Sequence, residues 1–149
     1  MRDEPTGRRI IWAFLGLLVV VGVFWVRTSN RFNSAGADPA AEITDVGPQT
    51  LTQMLSLGKP GVLEFYTANC PYCMKIAPEL AELDKQYGDR LFVVKMNAEK
   101  YPSEAVKYEV QGVPTLVYFD AAGVPKAVAP GYVTFDTMVK MLRQVKLVE

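Results

Sequence analysis

The chain has 149 residues, of which 50% are hydrophobic, so it has room for one domain and an additional segment. Its 16 basic and 16 acidic residues give a formal net charge of zero, and this balance gives no indication of a nucleic-acid partner. Two cysteines and no histidine leave too few ligands for an intramolecular zinc site, which needs about four.

An apolar run near the N-terminus predicts a membrane span. It starts at Ile10, ends at Val26 and carries no charge, and at about 1.5 Å per residue it would form a helix about 25 Å long. Trp12 and Trp25 lie near its two ends, where amphipathic rings favour the membrane interface. A buried core helix would need a polar face, which this run lacks. We therefore expect residues 10–26 to be a transmembrane anchor.

The same segment has some features of a cleavable signal peptide. Arg8 and Arg9 suit the basic region that begins such peptides, and the Ala-Gly-Ala run at 35–37 suits a cleavage site. The apolar run is longer than usual for such a peptide, and Arg27 and Arg31 separate it from that site. We therefore expect the anchor to stay uncleaved.

The residues flanking the apolar run predict its orientation and a tether. Three arginines lie in the N-terminal tail, residues 1–9, and two follow the run, so the positive-inside rule weakly favours a cytoplasmic tail. Residues 27–42 are small and polar, with Gly and Pro among them, which predicts a flexible linker. The domain at 43–149 is then expected outside the cytoplasm, and two cysteines are compatible with an oxidising compartment.

The pattern of apolar residues and turn residues within 43–149 predicts alternating strands and helices. The order is βαβαβ followed by αββα, which predicts a mixed sheet with helices on both faces. We expect strands at 43–46, 62–66, 91–96 and 115–119, and a partner strand that ends near Tyr132. Helices are expected at 51–57, from Cys70 to Gly88, from Pro102 onward, and after a cap at Thr134. The residues expected to face the core are Ile76, Leu80, Leu83 and Tyr87 in the second helix, Ala105, Val106 and Tyr108 in the third, and Phe135, Met138, Val139 and Leu142 in the last.

The two cysteines lie where the second strand is expected to give way to the longest helix. The first turn of a helix has unpaired N–H groups and a dipole that favour negative charge, so a thiol at Cys70 should ionise readily. Pro71 suits the first helical position, and Cys73, one turn on, should be more enclosed and able to resolve a mixed disulfide. A purely structural disulfide is the alternative, but so short a loop would stabilise the fold little.

From about Thr44 to the C-terminus the sequence resembles the thioredoxin family. The resemblance depends on several spaced features in addition to Cys-x-x-Cys. These features are Glu64 six residues before Cys70, Pro78 eight residues after it, Lys95 at a strand end, the run Gly112, Val113, Pro114 and Thr115, and the late Gly131.

The resemblance implies a thioredoxin fold and a role for each of these positions. Cys70 would be the nucleophile and Cys73 the resolving thiol, while Lys95 would modulate Glu64. Glu64, an acid within an apolar strand, should have a raised pKa and accept the proton of Cys73; an exposed strand face is the alternative. Val113–Pro114 would be a cis peptide beside Cys70, where the Val113 backbone pairs with an extended substrate, the alternative being an ordinary trans turn. We expect the substrate-binding residues to be Pro71, Tyr72, Val113, Pro114, Thr115 and Gly131, with Tyr72, Ile76, Val113 and Tyr132 as an apolar rim or as core.

The sequence departs from the family pattern in two respects. Asn69 stands where the family usually has Trp, and Pro71 and Tyr72 replace the usual Gly-Pro. The Pro-Tyr dipeptide is typical of glutaredoxins and changes the relative stability of thiolate and disulfide. The reduction potential of thioredoxin therefore cannot be carried over.

Together these features predict a membrane-anchored thiol–disulfide oxidoreductase facing the periplasm, the thylakoid lumen or an equivalent compartment. The dithiol carries the electrons, so neither a cofactor nor a metal is expected. Expected partners are protein disulfides and a membrane-embedded or soluble thiol donor, without nucleic acid. The alternatives are a disulfide oxidase or isomerase, a glutathione-dependent enzyme, and a non-catalytic binding module.

Overall fold

The computed structural model describes residues 43–149. The predicted tail 1–9, membrane anchor 10–26 and linker 27–42 lie outside the described residues. Within 43–149 no helix is both long and apolar enough to cross a bilayer. The elements are β1 Thr44–Asp45, α1 Pro48–Leu55, β2 Gly61–Tyr66, α2 Pro71–Tyr87, β3 Phe92–Asn97, α3 Pro102–Lys107, β4 Thr115–Phe119, β5 Pro125–Pro130 and α4 Phe135–Gln144.

The five strands form one mixed sheet in the order β1-β3-β2-β4-β5. β1, β3 and β2 run parallel, whereas β4 pairs antiparallel with both β2 and β5. The central position of β2 places Glu64 opposite Lys95 on one side and opposite Leu116 on the other. The predicted element order and mixed sheet are therefore confirmed.

The helices cover the sheet on both faces, as expected. One face packs against α2 and α4 through residues such as Leu80 and Leu142, which share a core with Val62 and Leu116. The other face packs against α1 and the end of α3, where Leu51 and Tyr108 meet a second apolar cluster. Because side chains alternate along a strand, the three central strands β2, β3 and β4 each contribute to both cores.

The short helix α3 differs from the prediction. Tyr108 is buried, with its ring centre 5.8 Å from that of Phe65 and 5.4 Å from that of Phe119. Val106, expected to face inward, is 78% exposed. Residues three apart share a helix face, and Ala105 and Tyr108 occupy the inner one, so Val106 is turned toward solvent.

Helix α2 begins at Pro71 and continues through Pro78 to Tyr87. Its predicted apolar stripe is confirmed in the core. Ile76 is fully buried, so it belongs to the core and not to a rim around the cysteines. The buried stripe fixes the helix on the sheet, and this determines where its N-terminus and Cys70 lie.

Candidate active site

Cys70 is the N-cap residue of α2, and Cys73 lies in the first turn. Their sulfurs are joined in a disulfide, with the Cα atoms 5.2 Å apart. The backbone N–H of Cys73 donates a hydrogen bond to Sγ of Cys70 at 3.1 Å. This donor and the helix N-terminus would also stabilise a thiolate at Cys70 once the disulfide is reduced.

Contrary to the prediction, the two cysteines are equally exposed. Each residue is 7% exposed, so Cys73 is no more enclosed than Cys70. Cys70 is held in the turn before the helix, where its N–H donates to the Thr67 carbonyl at 3.3 Å, and the disulfide joins the two sulfurs so that each covers the other.

Glu64 lies in the middle of β2, beneath the disulfide, and is 3% exposed. Its Oε1 is buried and has no hydrogen-bond partner among the described residues. Burial raises the pKa of Glu64 to about 7, against the opposing attraction of Lys95. The alternative of an exposed strand face is therefore wrong.

A cavity of about 180 Å³ joins the acid to the cysteines. Its lining includes Glu64, Lys95, both cysteines and Met74. The carboxyl and the sulfurs thus border one space, wide enough for a few water molecules.

Lys95, on β3, lies beside Glu64 of β2. It belongs to a row of polar side chains that continues to β1 at the edge of the sheet. Asp45 of β1 is its neighbour in the strand register, and Nζ of Lys95 lies 5.3 Å from the ring centre of Tyr66. The Tyr66 hydroxyl donates to Oδ2 of Asp45 at 3.1 Å. Burial raises the pKa of Tyr66, and this hydrogen bond raises it further by a smaller amount. Sequence reasoning found Lys95 but missed Asp45 and Tyr66, because only the parallel pairing brings β1 next to β3.

Two exposed side chains flank the disulfide on α2. Tyr72 is 62% exposed and Met74 is 67% exposed. Pro71 is exposed as well and continues this surface. Met74 was missed in the sequence, although its position outside the core stripe of α2 would have indicated an outward side chain.

A hydrogen bond joins the loop before β4 to the turn after β5. The Val113–Pro114 peptide is cis, so the trans alternative is wrong. The Gly131 N–H donates to the Pro114 carbonyl at 2.7 Å, with Gly131 at a φ of 84°. Thr115 is buried, and its hydroxyl donates to the Gly112 carbonyl at 2.7 Å, so its side chain supports the loop from within.

The strand order, together with a disulfide at the start of the helix after the central strand, defines a domain of the thioredoxin-like class. Residues 48–146 match the family model described as a thioredoxin-like domain, and the chain belongs to this family. The resemblance noted in the sequence is thereby confirmed.

Two relatives are similar to this chain, one over about half of its length and the other over most of it. The thiol:disulfide interchange protein TxlA homolog of Synechocystis is 37% identical over 83 residues, covering 54% of this chain and 46% of the relative. The chloroplastic thioredoxin-like protein HCF164 of Oryza sativa subsp. japonica is 36% identical over 123 residues, covering 81% of this chain and 44% of the relative. The chain thus spans less than half the length of either relative.

A solved structure supports the fold. A crystal structure of chloroplastic thioredoxin z superposes with a TM-score of 0.63 at 21% identity, over 72% of this chain and 96% of that one. Family membership and the Cys70–Cys73 disulfide support the prediction of a thioredoxin-like protein-disulfide oxidoreductase.

Proposed function

We propose that this protein is a membrane-anchored thiol–disulfide oxidoreductase that reduces protein disulfides outside the cytoplasm. The observation that carries the proposal is the Cys70–Cys73 disulfide at the start of α2, bordering the same cavity as the buried Glu64. Relatives named thiol:disulfide interchange proteins agree with this activity.

The reaction transfers two electrons from the dithiol to the substrate. The Cys70 thiolate attacks one sulfur of the substrate disulfide, which forms a mixed disulfide and releases the other substrate sulfur as a thiolate. Cys73 then attacks Sγ of Cys70, which forms the Cys70–Cys73 disulfide and releases the second substrate thiolate. A thiol donor, membrane-embedded or soluble, returns two electrons to the site.

Glu64 is the group proposed to manage the proton of this second step. With a pKa of about 7, it can accept the Cys73 proton as that thiol attacks and later return it through the shared cavity. Lys95, opposite Glu64 in the register, moderates the carboxyl by its positive charge. The electrons are carried by the dithiol, and the proposal includes no cofactor or metal.

The substrate is proposed to lie along the exposed surface around the disulfide. Pro71 and Tyr72 would contact its side chains, while the Val113 backbone, next to Pro114, would pair with it as an added strand. Gly131, hydrogen-bonded to Pro114, would border the same groove. Thr115 would act by supporting this loop.

The proposed location is a membrane, with residues 10–26 as a single-pass anchor and the domain in the periplasm, the thylakoid lumen or an equivalent compartment. The length and interfacial tryptophans of the apolar run support a span. The chloroplastic relatives are compatible with a lumenal location.

A disulfide isomerase or oxidase is the second candidate. The Pro-Tyr dipeptide between the cysteines supports it, and so does a relative named protein disulfide-isomerase tigA from Aspergillus niger, 34% identical over 101 residues. The same dipeptide underlies the glutathione-dependent alternative, and a binding module without catalysis would leave the dithiol unused.

Trapping and a reduction potential together test the proposal. Reduced Cys73→Ser protein should hold substrates as mixed disulfides on Cys70, whereas the double variant Cys70→Ser/Cys73→Ser should hold none. A potential of about −270 mV would support a reductase, whereas one of about −120 mV would favour an oxidase. Absence of trapped partners would leave only the binding module, and turnover that requires glutathione would favour the glutaredoxin-like alternative.

A further inference from the structure

A carboxylate on α2 binds the segment that follows β5 with both of its oxygens. The Tyr132 hydroxyl donates to Oε1 of Glu79 at 2.9 Å, and the Phe135 N–H donates to Oε2 at 2.8 Å. Phe135 is the first residue of α4. We call Glu79, Tyr132 and Phe135 the Glu79 clamp.

Charge makes the clamp stronger than a contact between neutral groups. A carboxylate at the N-terminus of a helix is stabilised by the helix dipole and by unpaired N–H groups. Both hydrogen bonds are charge-assisted, and the one that Tyr132 donates raises the pKa of its hydroxyl. Thr134 caps the same helix by accepting from the Thr137 N–H, so two different N–H groups of the first turn are satisfied.

A neighbouring acid on α2 offers a direct comparison. Glu82 contacts only residues of its own helix in the hydrogen bonds and ion pairs of the described chain, at 3.7 Å to Lys85 and 2.6 Å to Gln86. Glu79 instead joins positions 53 and 56 residues away along the chain. Of these two acids, Glu79 is therefore the one that connects separate elements.

The clamped segment, residues 131–134, borders the disulfide site at its other end. Gly131 donates to the Pro114 carbonyl at 2.7 Å, next to the proposed substrate-pairing position. Nζ of Lys75, two residues after Cys73, lies 4.6 Å from the ring centre of Tyr132. Residues 131–134 are thus connected to the cis-proline loop at one end and to α2 at the other.

We infer that Glu79 is a positioning residue that holds residues 131–134 in the orientation that receives an extended protein substrate. This inference rests on the proposed function. At about 1.5 Å per residue, Glu79 lies about 9 Å along α2 from Cys73, so it acts through the segment and not on the reacting sulfurs. A preordered segment lowers the entropy cost of binding a peptide chain. A small disulfide, too short to reach the segment, depends on it much less.

The test compares two substrates with the full chain in detergent. Insulin serves as the protein disulfide and 5,5′-dithiobis(2-nitrobenzoate) as the small one. In Glu79→Gln we expect KM for insulin to rise about fivefold with little change in kcat, so the ratio of kcat/KM for the two substrates falls about fivefold. Tyr132→Phe, which retains the bond to Phe135, should shift the ratio in the same direction by less.

Glu82→Gln is the matched control, and it should keep the wild-type ratio. A second readout is the Tyr132 pKa, followed by NMR of labelled tyrosine, which should fall in Glu79→Gln while Lys75 still covers the ring. An unchanged ratio in both clamp variants, an equal loss on both substrates, or an equal shift in Glu82→Gln would overturn the inference. Wild-type protein inactive on both substrates would instead refute the proposed function, and the inference with it.

Discussion

Glu64 is a carboxyl whose buried surroundings change its pKa strongly from the value in water. It lies in the centre of a sheet, between Lys95 and Leu116, with one oxygen that has no partner among the described residues. Desolvation exceeds the attraction of Lys95, so its pKa rises from 4.5 to about 7. That value allows the carboxyl both to accept and to release a proton under neutral conditions.

The first prediction concerns the rate of disulfide exchange. Replacing Glu64 with Gln removes the proton acceptor for Cys73, so reduction of a protein disulfide at pH 7 should slow about tenfold or more. The dependence of the rate on pH between 6 and 8 should also flatten. Stopped-flow measurements from pH 5 to 9 check this, with Glu82→Gln as control. Unchanged rates would exclude the proton role.

The second prediction concerns stability and follows from the same pKa. Because the pKa is higher in the folded than in the unfolded protein, no ionisation penalty exists below pH 4.5; the penalty builds up between pH 4.5 and 7 and is complete above pH 7. Relative to Glu64→Gln, the oxidised wild type should lose about 3 kcal/mol between pH 4 and pH 8.5. Urea unfolding of both proteins at these pH values measures the difference, and parallel stability curves would contradict it.

At the scale of elements, β2 and α2 define the site together. The core stripe of α2 anchors the helix to the sheet, and its N-terminus then lies above Glu64. The junction between them is only four residues long, 67–70, so any shift of the strand moves Cys70. The packing of β2 against β3 is therefore important for the geometry of the disulfide.

The third prediction tests that packing at the start of β2. Gly61 pairs with Phe92 in the register, and a Cβ at Gly61 would overlap the Phe92 ring. Gly61→Ala should lower the free energy of unfolding by about 1–3 kcal/mol, because the buried ring must move. Urea denaturation measures this.

Gly112→Ala is the control for that experiment. A Cβ there meets no heavy atom of the described residues within 4 Å, so its stability should stay close to wild type. Equal stability of the two variants would show that the sheet accommodates the added methyl group.

At the scale of the whole molecule, the proposal joins a thioredoxin-like domain to a membrane anchor. The fourth prediction is that the full chain sediments with membranes and resists extraction by high salt and carbonate, whereas detergent releases it. The reason is that an apolar run of about 25 Å is stable in a bilayer without any protein partner. A variant lacking residues 1–26 should stay in the supernatant; a full chain that also stays there would contradict the anchor.

Local sequence was sufficient for the elements and for the reactive pair. Gly and Pro end several of the apolar runs, as at 58–61 and at Gly88, and the period of a run distinguishes strand from helix, because both signals act within a few residues. With only two cysteines, three residues apart at a strand-to-helix junction, the redox pair could also be assigned without a structure. The family resemblance added the expected partners Glu64, Lys95 and Pro114.

Only the tertiary structure decided which side chains those elements cover. Val106 is exposed, and Glu79 meets Tyr132 across 53 residues of chain. No local pattern encodes these outcomes, since they depend on which faces of separate helices and strands come into contact. Burial by distant segments also gives Glu64 its pKa of about 7, because desolvation is a property of the assembled sheet and not of the strand alone.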